Sequence, residues 1–323
     1  MALIVVTRVA HPVIPDRLSA DHDLWVWPED SPVPPEKLAE VVAEADGLFC
    51  LLTDRVDAAL LEVAPRLKAI SQMAVGVDNI DLAECIVRGI PVGHTPGVLT
   101  ETTADTALAL MLDCLRRVTE GAEHVRAGLW GQWVPDLLVG KDLHGATVGI
   151  VGLGRIGTAV ARRLRGFDCH LLYTGPRRHP EAEAELGVAY RHPDQLLAES
   201  DVVVLSTPLN DSTRNLIDAD ALGLMKPTAL LVNISRGGLV DHAALDAALA
   251  SGQIWAAALD VTDPEPLPPD HPLMARPNCL IIPHLGSASE ETRLAMADLA
   301  VSNLLAGLAG ERMPECANPA VYV

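Results

Sequence analysis

The feature that most constrains this chain is the turn Gly152-Leu153-Gly154-Arg155-Ile156-Gly157, set between an apolar run at 147–151 and a helical pattern at 155–165. Glycines at this spacing meet three steric demands. Gly152 allows a tight turn out of the strand, Gly154 lets a pyrophosphate approach the backbone, and Gly157 lets the helix pack on the sheet. The helix N-terminus then presents its amides to the phosphates. Downstream, apolar runs at 169–173, 201–206, 229–234, 254–259 and 279–282 alternate with helical patterns. Six strands of this kind predict a dinucleotide-binding fold with both mononucleotide halves.

The end of the second strand bears on the choice of dinucleotide. An acidic residue about 20 positions after the glycines would bind the adenosine ribose of NAD(H). Here the chain reads Leu172-Tyr173-Thr174-Gly175-Pro176-Arg177-Arg178-His179. Thr174 stands in the acid's place, and Arg177 and Arg178 follow. A carboxylate repels a 2′-phosphate, whereas a guanidinium pairs with one. NADP(H) is therefore expected as the preferred cofactor, with NAD(H) as the alternative.

Three polar residues fall at C-terminal strand ends, where open α/β sheets hold their ligands. Arg236 follows the run at 229–234, Glu265 lies in the loop Asp260-Val-Thr-Asp-Pro-Glu265-Pro266, and His284 follows the run at 279–282. Reduction of a 2-ketoacid needs these side chains. A guanidinium anchors the substrate carboxylate and polarises its carbonyl. An imidazole donates the proton that accompanies the hydride, and a carboxylate bonded to such an imidazole orients it and keeps it protonated. The other histidines, His242 and His271 among them, read as surface or satisfied core residues.

The first hundred residues also alternate. Strands are expected at 3–6, 47–52, 67–71 and 90–92, and helices at 35–45, 57–63 and 81–88, which predicts a second parallel sheet. Apolar residues at Ala104, Ala107, Leu108, Met111, Leu112, Leu115 and Val118 predict one long helix over 100–128, followed by a loop through Trp130 and Trp133. A final helix is expected at 287–307. Acidic residues outnumber basic ones 43 to 24, a net charge of −19, which argues against nucleic acid or an anionic membrane as partner. The six cysteines show no ligand spacing, so neither a metal site nor a disulfide framework is expected. The N-terminus reads as a buried strand, and no run reaches the ~20 apolar residues of a membrane span. A cytoplasmic α/β protein is expected.

Over nearly its whole length the chain resembles the D-isomer-specific 2-hydroxyacid dehydrogenases. The resemblance lies in Ala74-Val75-Gly76-Val77-Asp78, Thr102-Thr-Ala-Asp105, the glycine turn, Asn233-Ile234-Ser-Arg236-Gly237, the loop Asp260–Pro266, and Pro283-His284-Leu-Gly286-Ser287. Within the family it is most similar to glyoxylate/hydroxypyruvate reductases, through Thr95-Pro-Gly-Val-Leu-Thr100 and Asp260-Val-Thr-Asp-Pro-Glu-Pro-Leu-Pro268. The resemblance implies two doubly wound parallel-sheet domains, with a Rossmann cofactor domain (100–287) inserted in a flavodoxin-like substrate domain (1–99 with 288–323). It implies Arg236, Glu265 and His284 as the catalytic set. The substrate would lie on Arg236, His284 and the backbone amides of Val75 and Gly76.

Asp260 would meet the nicotinamide carboxamide, and Pro208, Ile234 and Gly286 would line the cofactor cleft. A homodimer acting on a small 2-ketoacid or 2-hydroxyacid follows, with NADPH-dependent reduction of glyoxylate and hydroxypyruvate to glycolate and D-glycerate. A reductase of another 2-ketoacid, such as a 2-ketogluconate, and a dinucleotide-sensing co-regulator remain alternatives. A phosphite oxidiser is disfavoured, because such relatives carry lysine where this chain has Val75. Two departures stand out: Asp105 replaces a glutamate common in relatives, and the loop at 133–140 matches less well.

Overall fold

Short apolar strands and amphipathic helices alternate along residues 1–323, all of which the computed structural model describes. They divide into two units, 1–99 with 288–323, and 100–287. The first unit opens with β1 (Leu3–Val6), α1 (Val13–Leu18), β2 (Asp23–Val26), α2 (Pro35–Val42) and β3 (Gly47–Cys50). It continues with α3 (Ala58–Glu62), β4 (Ala69–Gln72), α4 (Leu82–Val87) and β5 (Val92–Gly93). The strands form one parallel sheet in the order β2-β1-β3-β4-β5, the flavodoxin-like order. Asp57 and Asp81 cap α3 and α4 by accepting the amides of Leu60 and Glu84. The sequence pattern misses α1 and β2: α1 is six residues long with a proline inside, and β2 is a partly exposed edge strand.

The second unit contains α5 (Thr100–Arg116), α6 (Val118–Arg126), β6 (Thr147–Val151), α7 (Arg155–Leu164), β7 (His170–Thr174), α8 (Pro180–Leu186) and β8 (Ala189–Tyr190). After them come α9 (Pro193–Glu199), β9 (Val202–Leu205), α10 (Ala219–Leu224), β10 (Leu230–Asn233), α11 (His242–Ser251), β11 (Ala256–Leu259) and β12 (Cys279–Ile281). Their sheet is parallel, ordered β12-β11-β10-β9-β6-β7-β8, and the crossover beside β6 is its switch point. It has seven strands rather than the expected six, because the two-residue edge strand β8 is too short to leave a periodic trace. Both faces are covered. Val202 and Val204 join one core with Val148, Ile150 and Met111, while Val203 and Leu205 join the other with Leu231, Leu245 and Leu259. Burial on both faces explains why these strands read as unbroken apolar runs.

The expected single helix over 100–128 is two. Arg117 adopts a left-handed conformation with φ 53° between α5 and α6. A continuing helix would bond the Thr119 amide to the Leu115 carbonyl. Instead Thr119 donates to Asp113 Oδ1 (2.6 Å) and the Leu115 carbonyl accepts from Lys141 (2.8 Å). The break is thus fixed by a chain segment more than 20 residues downstream, which periodicity cannot register.

Finally α12 (Glu290–Leu308), capped by Ser289, returns to the first unit, where Leu304 and Leu308 lie against Gly47 and the Ala300 carbonyl accepts from Ser71 Oγ at 2.7 Å. No helix is long and apolar enough to cross a membrane.

Candidate active site

The glycine turn occupies the switch point of the second sheet, between β6 and α7. Gly152 has φ 98°, and a Cβ there would stand 2.9 Å from the Ser206 carbonyl oxygen. A Cβ on Gly157 would fall 2.1 Å from the Gly152 carbonyl oxygen, so only glycine lets α7 close on the strand. Gly154 differs, because a Cβ on it would meet nothing within 4 Å. No packing requirement explains this glycine. Open space at the start of α7, with no side chain capping the amides of Arg155, Ile156 and Gly157, fits a pyrophosphate. The residues present therefore suit a dinucleotide.

At the end of β7, Thr174 is buried and its carbonyl accepts from the Gly152 amide at 2.9 Å. The two arginines beyond it part company. Arg177 is exposed and makes no ion pair. Arg178 forms a two-pronged pair with Glu183 (3.0 and 2.5 Å) and lies over the Tyr190 ring at 5.9 Å. The Tyr173 hydroxyl donates to the same Glu183 carboxylate at 2.6 Å, and these two donors hold that carboxyl below its ordinary range. Unlike Arg177, Arg178 thus carries a surface ion pair, with 63% of its side chain still exposed. Its partner Glu183 lies on the following helix, and sequence spacing alone did not reveal the pairing.

Arg236, Glu265 and His284 all come from loops after β10, β11 and β12 of the same sheet. His284 Nδ1 meets Glu265 Oε1 at 2.5 Å, leaving Nε2 as the imidazole nitrogen not used by this contact. His284 itself has φ 54°, in the left-handed region. Its amide donates to the Asp260 carbonyl at 2.9 Å, and Asp260 Oδ1 and Oδ2 accept the next two amides, Leu285 (2.5 Å) and Gly286 (2.9 Å). Burial pushes the Asp260 carboxyl up, against the pull of the Leu285 amide, the His284 charge and the Gly286 amide.

Asp260, 2% exposed, anchors through these two bonds the turn that carries His284, and each of its oxygens keeps a second lone pair. Gly286 belongs to that anchor too, since a Cβ on it would lie 2.7 Å from Asp260 Oδ2. Arg236 leads out of β10 in extended conformation, its carbonyl accepting from Asn233 Nδ2 at 2.8 Å. Ile234 is core-packed at 6% exposure, and Pro208 is exposed after β9. Asp105 on α5 pairs with Arg163 on α7 at 2.6 Å, so the shorter acid still reaches a partner.

In the first unit Val75 and Gly76 follow β4. Gln72 Nε2 donates to the Gly76 carbonyl (2.5 Å) and to Asn79 Oδ1 (2.9 Å), while Asn79 Nδ2 donates back to Gln72 Oε1 (2.7 Å) and to the Asp54 carbonyl (2.7 Å). The sequence reading passed over both amides. A glutamine closing a buried strand, fully shielded from water, was the available signal.

Residues 108–286 match the family described as D-isomer specific 2-hydroxyacid dehydrogenase, NAD binding domain. A glyoxylate reductase/hydroxypyruvate reductase of Mus musculus is 50% identical over 298 residues, 92% of this chain and 91% of that one. A crystallised Thermus thermophilus protein is similar at TM-score 0.91 and 46% identity, covering 98% of this chain and 99% of that one. An NADPH-dependent glyoxylate/hydroxypyruvate reductase of Sinorhizobium meliloti, solved with NADP and malonate, is similar at TM-score 0.87 and 32% identity, covering 99% and 97%. With the glycine turn and the imidazole–carboxylate pair, these likenesses lead to one conclusion: the chain belongs to the D-isomer-specific 2-hydroxyacid dehydrogenases and is an NAD(P)-dependent oxidoreductase.

Proposed function

We propose that this enzyme reduces glyoxylate and hydroxypyruvate to glycolate and D-glycerate, with NADPH preferred over NADH. The observation that carries the reaction type is the His284–Glu265 contact of 2.5 Å on loops at the same C-terminal edge of the sheet as the glycine turn. Relatives named for both substrates support the substrate class. The bound dinucleotide supplies the hydride. Arg236 binds the substrate carboxylate and polarises the ketone. His284 Nε2 gives its proton to the carbonyl oxygen as it becomes a hydroxyl, while Glu265 on Nδ1 holds the ring orientation. Thr174 and Arg177 form the seat for the 2′-phosphate, Thr174 by carrying no charge to repel it and Arg177 by its free guanidinium.

The proposed working form is a cytoplasmic homodimer. Val118, Val125, Leu129, Trp130, Trp133 and Val139 are exposed along α6 and the loop after it, an apolar surface that a second copy would cover. Initial rates with glyoxylate, hydroxypyruvate and larger 2-ketoacids, each with NADPH and NADH, test the assignment. A higher kcat/KM for a larger ketoacid, or for NADH, would refute the corresponding half. Sedimentation at micromolar concentration tests the dimer, and a monomer there refutes it.

A further inference from the structure

Glu265 sits in a loop that cannot hold itself by backbone bonds. Pro264 and Pro266 flank it, and neither has an amide proton to close a turn. Its side chain is 42% exposed, and one oxygen is given to His284. The missing donors come from Thr262. Its hydroxyl donates to the Pro264 carbonyl at 2.8 Å, curling the loop back, and its amide points to the second Glu265 oxygen at 3.5 Å. Thr262 is itself fixed. It is 7% exposed, and its carbonyl backs onto Gly237, where a Cβ would stand 1.9 Å from the Thr262 carbonyl carbon. Gly237 follows Arg236, so the guanidinium-bearing loop and the carboxylate-bearing loop are locked together at this threonine.

We propose that Thr262 is a positioning residue for the reaction: its hydroxyl folds the Asp263–Pro266 loop so that Glu265 meets His284. This rests on the reading of Glu265 and His284 as the proton-donating pair. A threonine serves here because a hydroxyl can replace the absent backbone donor without adding a charge beside Glu265. An alanine or valine would leave the Pro264 carbonyl unanswered and Glu265 free to leave the imidazole.

The experiment compares Thr262→Val, Thr262→Ser and Thr262→Ala, alone and with Glu265→Gln, in the full-length enzyme with glyoxylate and NADPH. The valine and alanine variants should lower kcat roughly 3- to 10-fold, the range expected of one lost hydrogen bond. KM for both substrates should stay within about twofold, because Thr262 touches neither. Serine should restore kcat. In the Glu265→Gln background the valine substitution should have no further effect.

A wild-type kcat in Thr262→Val, a loss that serine does not restore, or an equal loss on top of Glu265→Gln would each overturn the proposal. If Thr262→Val does not fold, Thr262→Ala carries the same expectation. Wild-type kcat in Glu265→Gln alone would instead overturn the reading of the pair, and the role of Thr262 with it.

Discussion

Replacing Gly154 with alanine separates the fold from the ligand it serves. The added Cβ would meet no atom within 4 Å, and the backbone at φ −81° and ψ −162° is open to alanine. The unliganded protein should therefore lose at most about 1 kcal/mol, the weaker capping of alanine at a helix start. For a unit of this size that is a fall in Tm of under about 4 °C. Binding should suffer far more. A methyl group in the space left for the pyrophosphate displaces it from the α7 amides, and one lost charge-assisted hydrogen bond is worth about 1.5–3 kcal/mol. The Kd for NADPH should rise roughly 10- to 100-fold.

Gly157→Ala is the contrasting case, because its Cβ would overlap the Gly152 carbonyl at 2.1 Å and the Ser206 hydroxyl at 2.8 Å. That variant should lose about 1–3 kcal/mol or more of stability, and its binding should fall with it. Calorimetric titration with NADPH and thermal melting of both variants make the comparison. A Gly154→Ala protein that binds NADPH as tightly as wild type would refute a dinucleotide at this turn. One that melts as low as Gly157→Ala would refute the claim that its space is empty.

Arg177→Ala should weaken NADPH roughly tenfold and leave NADH unchanged, whereas Arg178→Ala should do little to either, since that side chain is committed to Glu183; kcat/KM for both cofactors decides, and an equal loss in the two variants counts against the split. His284→Ala should lower kcat on the order of 10²–10⁴-fold with dinucleotide affinity preserved, and a variant that turns over normally removes His284 from the mechanism. Arg236→Lys keeps the charge but loses the planar fork, so KM for the ketoacid should rise as kcat falls, and unchanged kinetics would make Arg236 a structural residue.

His242 is 8% exposed, and burial, then the neighbouring His271, hold it below the ordinary histidine value, against Asp263 and Asp241. A lowered folded-state value means that stability is fully present above about pH 6.5 and is lost as pH falls through that lowered value. His242→Phe should flatten the decline of Tm between about pH 7 and 5, and an equally steep decline in that variant would show that other groups cause it.

The sequence by itself determined the features that rest on local sterics and on repetition. The glycine turn, the strands of both sheets that are buried on two faces, and the positions of Arg236, Glu265 and His284 at strand ends could all be read there. Each follows from a short-range rule: three glycines at fixed spacing, unbroken apolar runs, and polar residues placed immediately after them.

Tertiary structure decided whatever depends on a partner distant in the chain. Lys141 ends α5 by taking the Leu115 carbonyl, and Glu183 pairs with Arg178. Asp260 holds the amides of Leu285 and Gly286 and so anchors the turn that carries His284, a part its sequence position does not reveal. His242 is buried with its ring edge against His271, a neighbour distant in the chain. A side chain has more than one chemically acceptable partner, and sequence gives the candidates but not the distances. Only the packed sheet, which brings the loops after β10, β11 and β12 side by side, selects among them.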